Sequence, residues 1–119
     1  MKRIILVEDD EAIRDSLQLV LGKNFDLLIL ENGEKILSNQ VDVPDLFILD
    51  KQISGTNGLD ICRFVKANEK FKGVPVVMLS ANPDIIALAK EAGADNAIAK
   101  PFTLKKLRET VSNLLEANN

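Results

Sequence analysis

Short apolar runs alternate with helical spacings along this chain. RIILV (3–7), FDLLIL (25–30), PDLFILD (44–50), VPVVMLS (74–80) and NAIAK (96–100) read as strands. Pro44 fits because it opens its run, at a strand start or edge. Between the runs, apolar residues recur every three or four positions. Residues 11–21 predict a helix with Ile13, Leu17, Val20 and Leu21 on one face, and 57–67 a second around Leu59, Ile61, Cys62 and Val65. A short helix is predicted within 32–39. Another covers 84–91, with Asn82 as its cap, Pro83 in its first turn and Gly93 past its end. The last covers 103–117, capped by Thr103 and striped by Leu104, Leu107, Val111, Leu114 and Leu115.

Five strands alternating with five helices predict a doubly wound α/β fold, a parallel sheet covered on both faces. Right-handed crossovers leave few topologies for that pattern. In such open sheets, ligands bind outside the carboxyl ends of the strands, at the switch point of strand order. The residues that follow each strand are therefore the ones to read for chemistry.

Composition narrows the function classes. The 119 residues suit one domain, and no linker or repeat divides residues 1–119. Apolar residues are 46% and aromatics 4%, so the core is predicted to be aliphatic. No apolar run approaches the ~18 residues of a membrane helix. The start, MKRIILVEDD, turns acidic too soon for a signal peptide, which predicts a cytoplasmic protein without membrane contact. A net charge of −3 argues against direct nucleic-acid binding. Cys62 is the single cysteine and reads as a small buried hydrophobe. The chain has no histidine, which removes imidazole catalysis and the usual transition-metal ligands.

The first strand runs straight into Glu8, Asp9, Asp10 and Glu11. Neighbouring carboxylates repel by roughly 4 kcal/mol per close pair at an effective dielectric near 20. Asp50 follows the third strand, Ser80 the fourth, and Lys100 with Pro101 the fifth. If strands one and three are neighbours, these groups converge on one rim. Such an oxygen-rich set suits a hard cation such as Mg²⁺, with a hydroxyl and an ammonium beside it for an anion's oxygens. A carboxylate beside the metal can act as a nucleophile toward phosphorus. Each group also has a plainer role. Asp9 or Asp10, taken alone, serves equally well as a helix cap. Asp50 alone reads better as a turn opener, Ser80 as a loop hydroxyl and Lys100 as a solvated lysine. Their recurrence at successive strand ends favours the joint reading.

LVEDDE, PDLFILD followed by NG, VVMLSA and AKPF, in this order, resemble the response-regulator receiver domain of two-component signalling, over essentially the whole chain. The resemblance implies a flavodoxin-like (βα)5 fold with strand order 2-1-3-4-5. It implies Asp50 as phospho-acceptor, and Glu8, Asp9, Asp50 and the backbone carbonyl of Gln52 as ligands of Mg²⁺ or Mn²⁺, with Asp10 outside them. Ser80 resembles the switch hydroxyl and Lys100 the lysine that pairs with the phosphoryl group. Pro101 would follow a cis peptide, Ala81 leaves room for the phosphoryl group, and Gly58 stands in the family's loop-to-helix turn. The implied donor is a sensor histidine kinase or a phosphotransfer protein, and the implied reader a downstream partner or output domain. The face of helix four, strand five and helix five would carry the signal, and a phosphorylation-dependent homodimer is a further implied state. The domain would catalyse only its own phosphorylation and dephosphorylation, as a switch.

Two positions depart from the pattern. Ala97 stands where the family often has an aromatic switch residue, so backbone shifts rather than ring burial are expected to carry the change. Ser54 stands where a proline is common; with Gly55 and Gly58 nearby, a loop freer without metal is expected. Three other readings compete. A phosphorylation-independent interaction module would typically lack the acceptor or the lysine, and both are present. A Mg²⁺-dependent phosphohydrolase would carry a second aspartate where Gln52 stands. A cobalamin or flavin domain lacks its histidine motif or a glycine loop after strand one.

Overall fold

The structure, a computed structural model, describes residues 1–53 and 56–117. The five sheet strands are β1 (Arg3–Val7), β2 (Asp26–Leu30), β3 (Leu46–Asp50), β4 (Val76–Ser80) and β5 (Asn96–Ala99). The helices are α1 (Glu11–Leu21), α2 (Glu34–Leu37), α3 (Gly58–Ala67), α4 (Ile85–Ala92) and α5 (Leu104–Ala117). All pairings in the sheet are parallel, in the spatial order β2-β1-β3-β4-β5. This is the doubly wound (βα)5 order expected above.

The two-residue period of the strands divides the core. Ile4, Leu6, Leu46, Ile48, Val77 and Leu79 face α1 and α5, against Leu17, Leu21, Leu107, Val111 and Leu115. Ile5, Val7, Phe47, Leu49, Val76 and Met78 face the other side, against Ile36, Ile61, Cys62, Val65, Ile85 and Ala89. The central strands β1, β3 and β4 therefore read as continuous apolar runs, because both of their faces are covered, whereas the edge strands β2 and β5 are partly exposed. A 3₁₀ turn at Glu69–Phe71 places Phe71 edge-on to Phe47, ring centroids 5.3 Å apart.

Several boundaries move from the sequence expectation. β4 starts at Val76 rather than Val74, because Pro75 has no N–H for the ladder; its carbonyl accepts from Phe47 N at 3.0 Å. β3 starts at Leu46 rather than Pro44, its ladder opening on the Ile4 pairing. Asn82 does not cap α4. Its Oδ1 accepts from Asp84 N at 2.8 Å, closing a separate turn, and the helix begins at Ile85. Gly93 does end α4, with φ of 91°. Thr103 caps α5 through Lys106 N at 3.0 Å, but Leu104 stays 41% exposed and leaves the buried stripe. A small antiparallel hairpin pairs Gln52–Ile53 with Thr56–Asn57. Ser54 and Gly55, on which the loop expectation rests, lie outside the described residues.

Candidate functional site

Parallel register brings the strand ends to one rim. Val7 pairs with both Leu30 and Leu49, Asp50 with Leu79, and Ser80 with Ala99. Glu8, Asp50, Ser80 and Lys100 therefore meet across the middle of the sheet. The buried groups among them are Glu8, Asp50 at 3% exposure, and Ser80. Backbone bonds tie the rim together: Glu8 N donates to Leu30 O at 3.0 Å, Lys51 N to Leu79 O at 2.9 Å, and Lys100 N to Ser80 O at 2.8 Å.

The Lys100 ammonium answers the repulsion between the buried acids. Lys100 Nζ donates to Asp50 Oδ2 at 2.8 Å and to Glu8 Oε1 at 3.1 Å. Burial pushes Glu8 up to about 7, with the hydrogen bond and negative charge of Asp50 adding to the rise and Lys100 opposing it. Burial works against the charge on Lys100, but its bonds to Asp50 and Glu8 outweigh that and raise its pKa. Burying charge is costly unless it is paired, and here the pairing is built in.

The acids after β1 divide by role. Asp10 caps α1, its Oδ1 accepting from Ala12 N at 2.9 Å and Ile13 N at 3.2 Å. Glu8, Asp9 and Asp50 each offer a carboxylate oxygen, and these oxygens lie within 4.8 Å of one another. Three hard oxygen donors at that spacing match the chemistry of Mg²⁺ or Mn²⁺, so the residues present fit such an ion. Gln52, whose carbonyl belongs to the expected ligand set, follows Asp50 by two positions at the start of the small hairpin.

The flanking positions have concrete roles in this geometry. A Cβ at Gly58 would run into the Asp50 carbonyl, so only glycine lets α3 start where it does. Ser80 Oγ accepts from Asn82 N at 3.0 Å. The Lys100–Pro101 peptide is cis. Ala81 is exposed and lines, with Lys100, Pro101 and Phe102, a cavity of about 490 Å³ against α1. Ala97 is half-buried and packs toward the α4 side of the core.

Sequence reasoning passes over Arg14. It flanks the buried stripe of α1, three and seven residues before Leu17 and Leu21, and its Nη1 donates to the backbone carbonyl of Glu8 at 3.1 Å. Its spacing from Leu17 and Leu21 places it beside the buried face, but only the fold reveals which atom it meets. Asp95 is a second such case, at the opposite end of the sheet. Its Oδ2 accepts from Lys66 Nζ at 2.6 Å and Val76 N at 2.8 Å.

The family model of the response regulator receiver domain matches residues 4–112. The DNA-binding response regulator MtrA of Mycolicibacterium paratuberculosis is 38% identical over 122 residues, covering 99% of this chain and 53% of that protein. The chain thus spans about half the length of that curated relative. A crystal structure of a proposed response regulator from Chloroflexus aurantiacus superposes with a TM-score of 0.88 at 32% identity, covering 97% of this chain and 98% of that one. The receiver domain of a sensor histidine kinase from Pseudomonas aeruginosa, with a magnesium ion coordinated in its active-site cleft, shares the fold at a TM-score of 0.86. Its 22% identity covers 97% of this chain and 98% of that one.

Proposed function

Since the chain belongs to the response regulator receiver domain family, matched over residues 4–112, we propose that it takes a phosphoryl group onto Asp50 and acts as a switch. One observation carries this: Asp50 is a buried carboxylate held by Lys100 at 2.8 Å, in reach of a ligand set with Glu8 and Asp9. The donor is the phosphohistidine of a sensor kinase or phosphotransfer protein. An Asp50 oxygen attacks phosphorus in line, the P–N bond breaks, and the imidazole departs with its electron pair. Lys100, already beside Asp50, neutralises charge on the transferred oxygens.

Glu8, Asp9, Asp50 and the Gln52 carbonyl would hold Mg²⁺ or Mn²⁺. The ion, when bound, supplies charge neutralisation at the phosphoryl oxygens. Water attack on phosphorus reverses the modification, restoring the carboxylate and releasing phosphate. The phosphoryl group carries about 1.5–2 negative charges. Ser80 would leave the Asn82 amide to donate to it, with Ala81 leaving room and Lys100 following the new charge. α4, β5 and α5 then repack around Ala97, where no ring is available to swing inward. Residues 1–119 form one receiver unit on this reading, working in the cytoplasm through a protein partner, an output domain or a phosphorylation-dependent homodimer.

Acetyl phosphate with and without Mg²⁺, read by intact mass, tests the proposal. The expected result is a Mg²⁺-dependent gain of one phosphoryl group that Asp50→Asn abolishes. No gain, or a gain untouched by Asp50→Asn, overturns the site and leaves a phosphorylation-independent interaction domain.

A further inference from the structure

We propose that Arg14 is a positioning residue that aims the two acids of the β1–α1 turn at a shared divalent cation; the inference rests on the metal reading above. Arg14 Nη1 donates to the Glu8 carbonyl oxygen at 3.1 Å. That oxygen belongs to the peptide joining Glu8 to Asp9, and a peptide unit is planar. Holding it fixes the plane from which the Asp9 Cα departs. The direction of the Asp9 carboxylate relative to that of Glu8 follows.

The turn is clamped from two sides. Glu8 N donates to Leu30 O at 3.0 Å on the β2 side, and Arg14 holds the next peptide from α1. Arg14 is itself steered by Glu31 after β2, Nη2 to Oε1 at 3.8 Å. The Arg14 side chain is 19% exposed and Glu31 76%, so the bond to Glu8 is the sheltered one and the ion pair the weaker. A planar guanidinium serves both partners with different nitrogens, which a lysine ammonium does less well.

The test measures Mg²⁺ affinity by calorimetry alongside the Mg²⁺ needed for half-maximal phosphorylation by acetyl phosphate. Arg14→Gln is expected to weaken both by about tenfold, as for other residues that orient metal ligands, with the rate at saturating Mg²⁺ near that of the wild type. Arg14→Lys is expected to recover part of the loss. In metal-free protein, the amides of residues 9–11 should exchange faster in Arg14→Gln than in wild type. Asp95→Ala supplies the structural control: it breaks the contacts to Lys66 and Val76 at the far end of the sheet, lowering Tm without moving Mg²⁺ affinity. An Arg14→Gln affinity within about twofold of wild type, or a shift no larger than that of Asp95→Ala, overturns the proposal. A wild type that binds Mg²⁺ but takes no phosphoryl group overturns the phosphotransfer reading alone, with the Arg14 effect still read from affinity. A wild type that binds no Mg²⁺ overturns both.

Discussion

At the scale of single residues, burial sets the chemistry. Cys62 is enclosed between α3 and the Ala92 carbonyl, its Sγ 3.6 Å from that oxygen. Burial pushes the thiol up to about 11 from the usual 9.0, with smaller effects from Lys66, Asp95 and Arg63. The unfolded chain therefore releases this proton first, between about pH 9 and 11, while the folded state retains it. Protons bound in the folded state exceed those in the unfolded state across that window, so stability falls as pH rises through it. Urea unfolding at pH 8 and pH 10.5 should show a larger loss for wild type than for Cys62→Ala. Equal losses would contradict a buried, inert thiol. Gly58 makes the same point from the backbone side. Its place eight residues after Asp50 is readable in sequence, but the reason is the Asp50 carbonyl in the way of any Cβ.

At the scale of elements, the helix starts show which polar residues hold the chain. Asp10 satisfies two free amides of α1, whereas Asp84, the N-terminal neighbour of α4, makes no side-chain cap bond. Asp10→Ala is expected to cost about 1 kcal/mol in urea unfolding, and Asp84→Ala about half a kcal/mol or less. Equal costs would mean that charge near the helix dipole, rather than the cap bond, is what counts at both ends. Asn82 stands before α4 without capping it. Asn followed by Pro marks a turn as readily as a helix start, and here the turn claims the Asn82 oxygen before the helix begins.

At the scale of the whole molecule, the sheet concentrates charge at one end. Glu8 and Asp50 are buried there with the Lys100 ammonium between them, and Asp9 stands alongside. A divalent cation bound only by the folded state should therefore stabilise it, by about 2.7 kcal/mol at a hundredfold excess over Kd. Thermal unfolding with Mg²⁺ against NaCl of equal ionic strength checks this. A rise with Mg²⁺ that NaCl does not reproduce and Asp9→Asn largely removes is the expected outcome. An equal rise with both salts would reduce the effect to screening.

The sequence by itself determined the alternation of five strands and five helices, the aliphatic core and the residues that follow each strand. These are local properties, carried by period and by punctuation such as Gly93 and Thr103. It also placed Glu8, Asp9, Asp50, Ser80 and Lys100 in one group, because a parallel sheet must bring successive strand ends to the same edge. Only the tertiary structure decided how that group is neutralised. Lys100 lies 92 positions from Glu8 and 50 from Asp50, and no local pattern encodes a bond across such separations. The Arg14 contact with the Glu8 carbonyl spans only six positions, yet it too depends on how α1 packs beside β1. Spacing along a chain sets which face a side chain occupies. Which atom it meets is settled by the register of strands and the packing of helices on them.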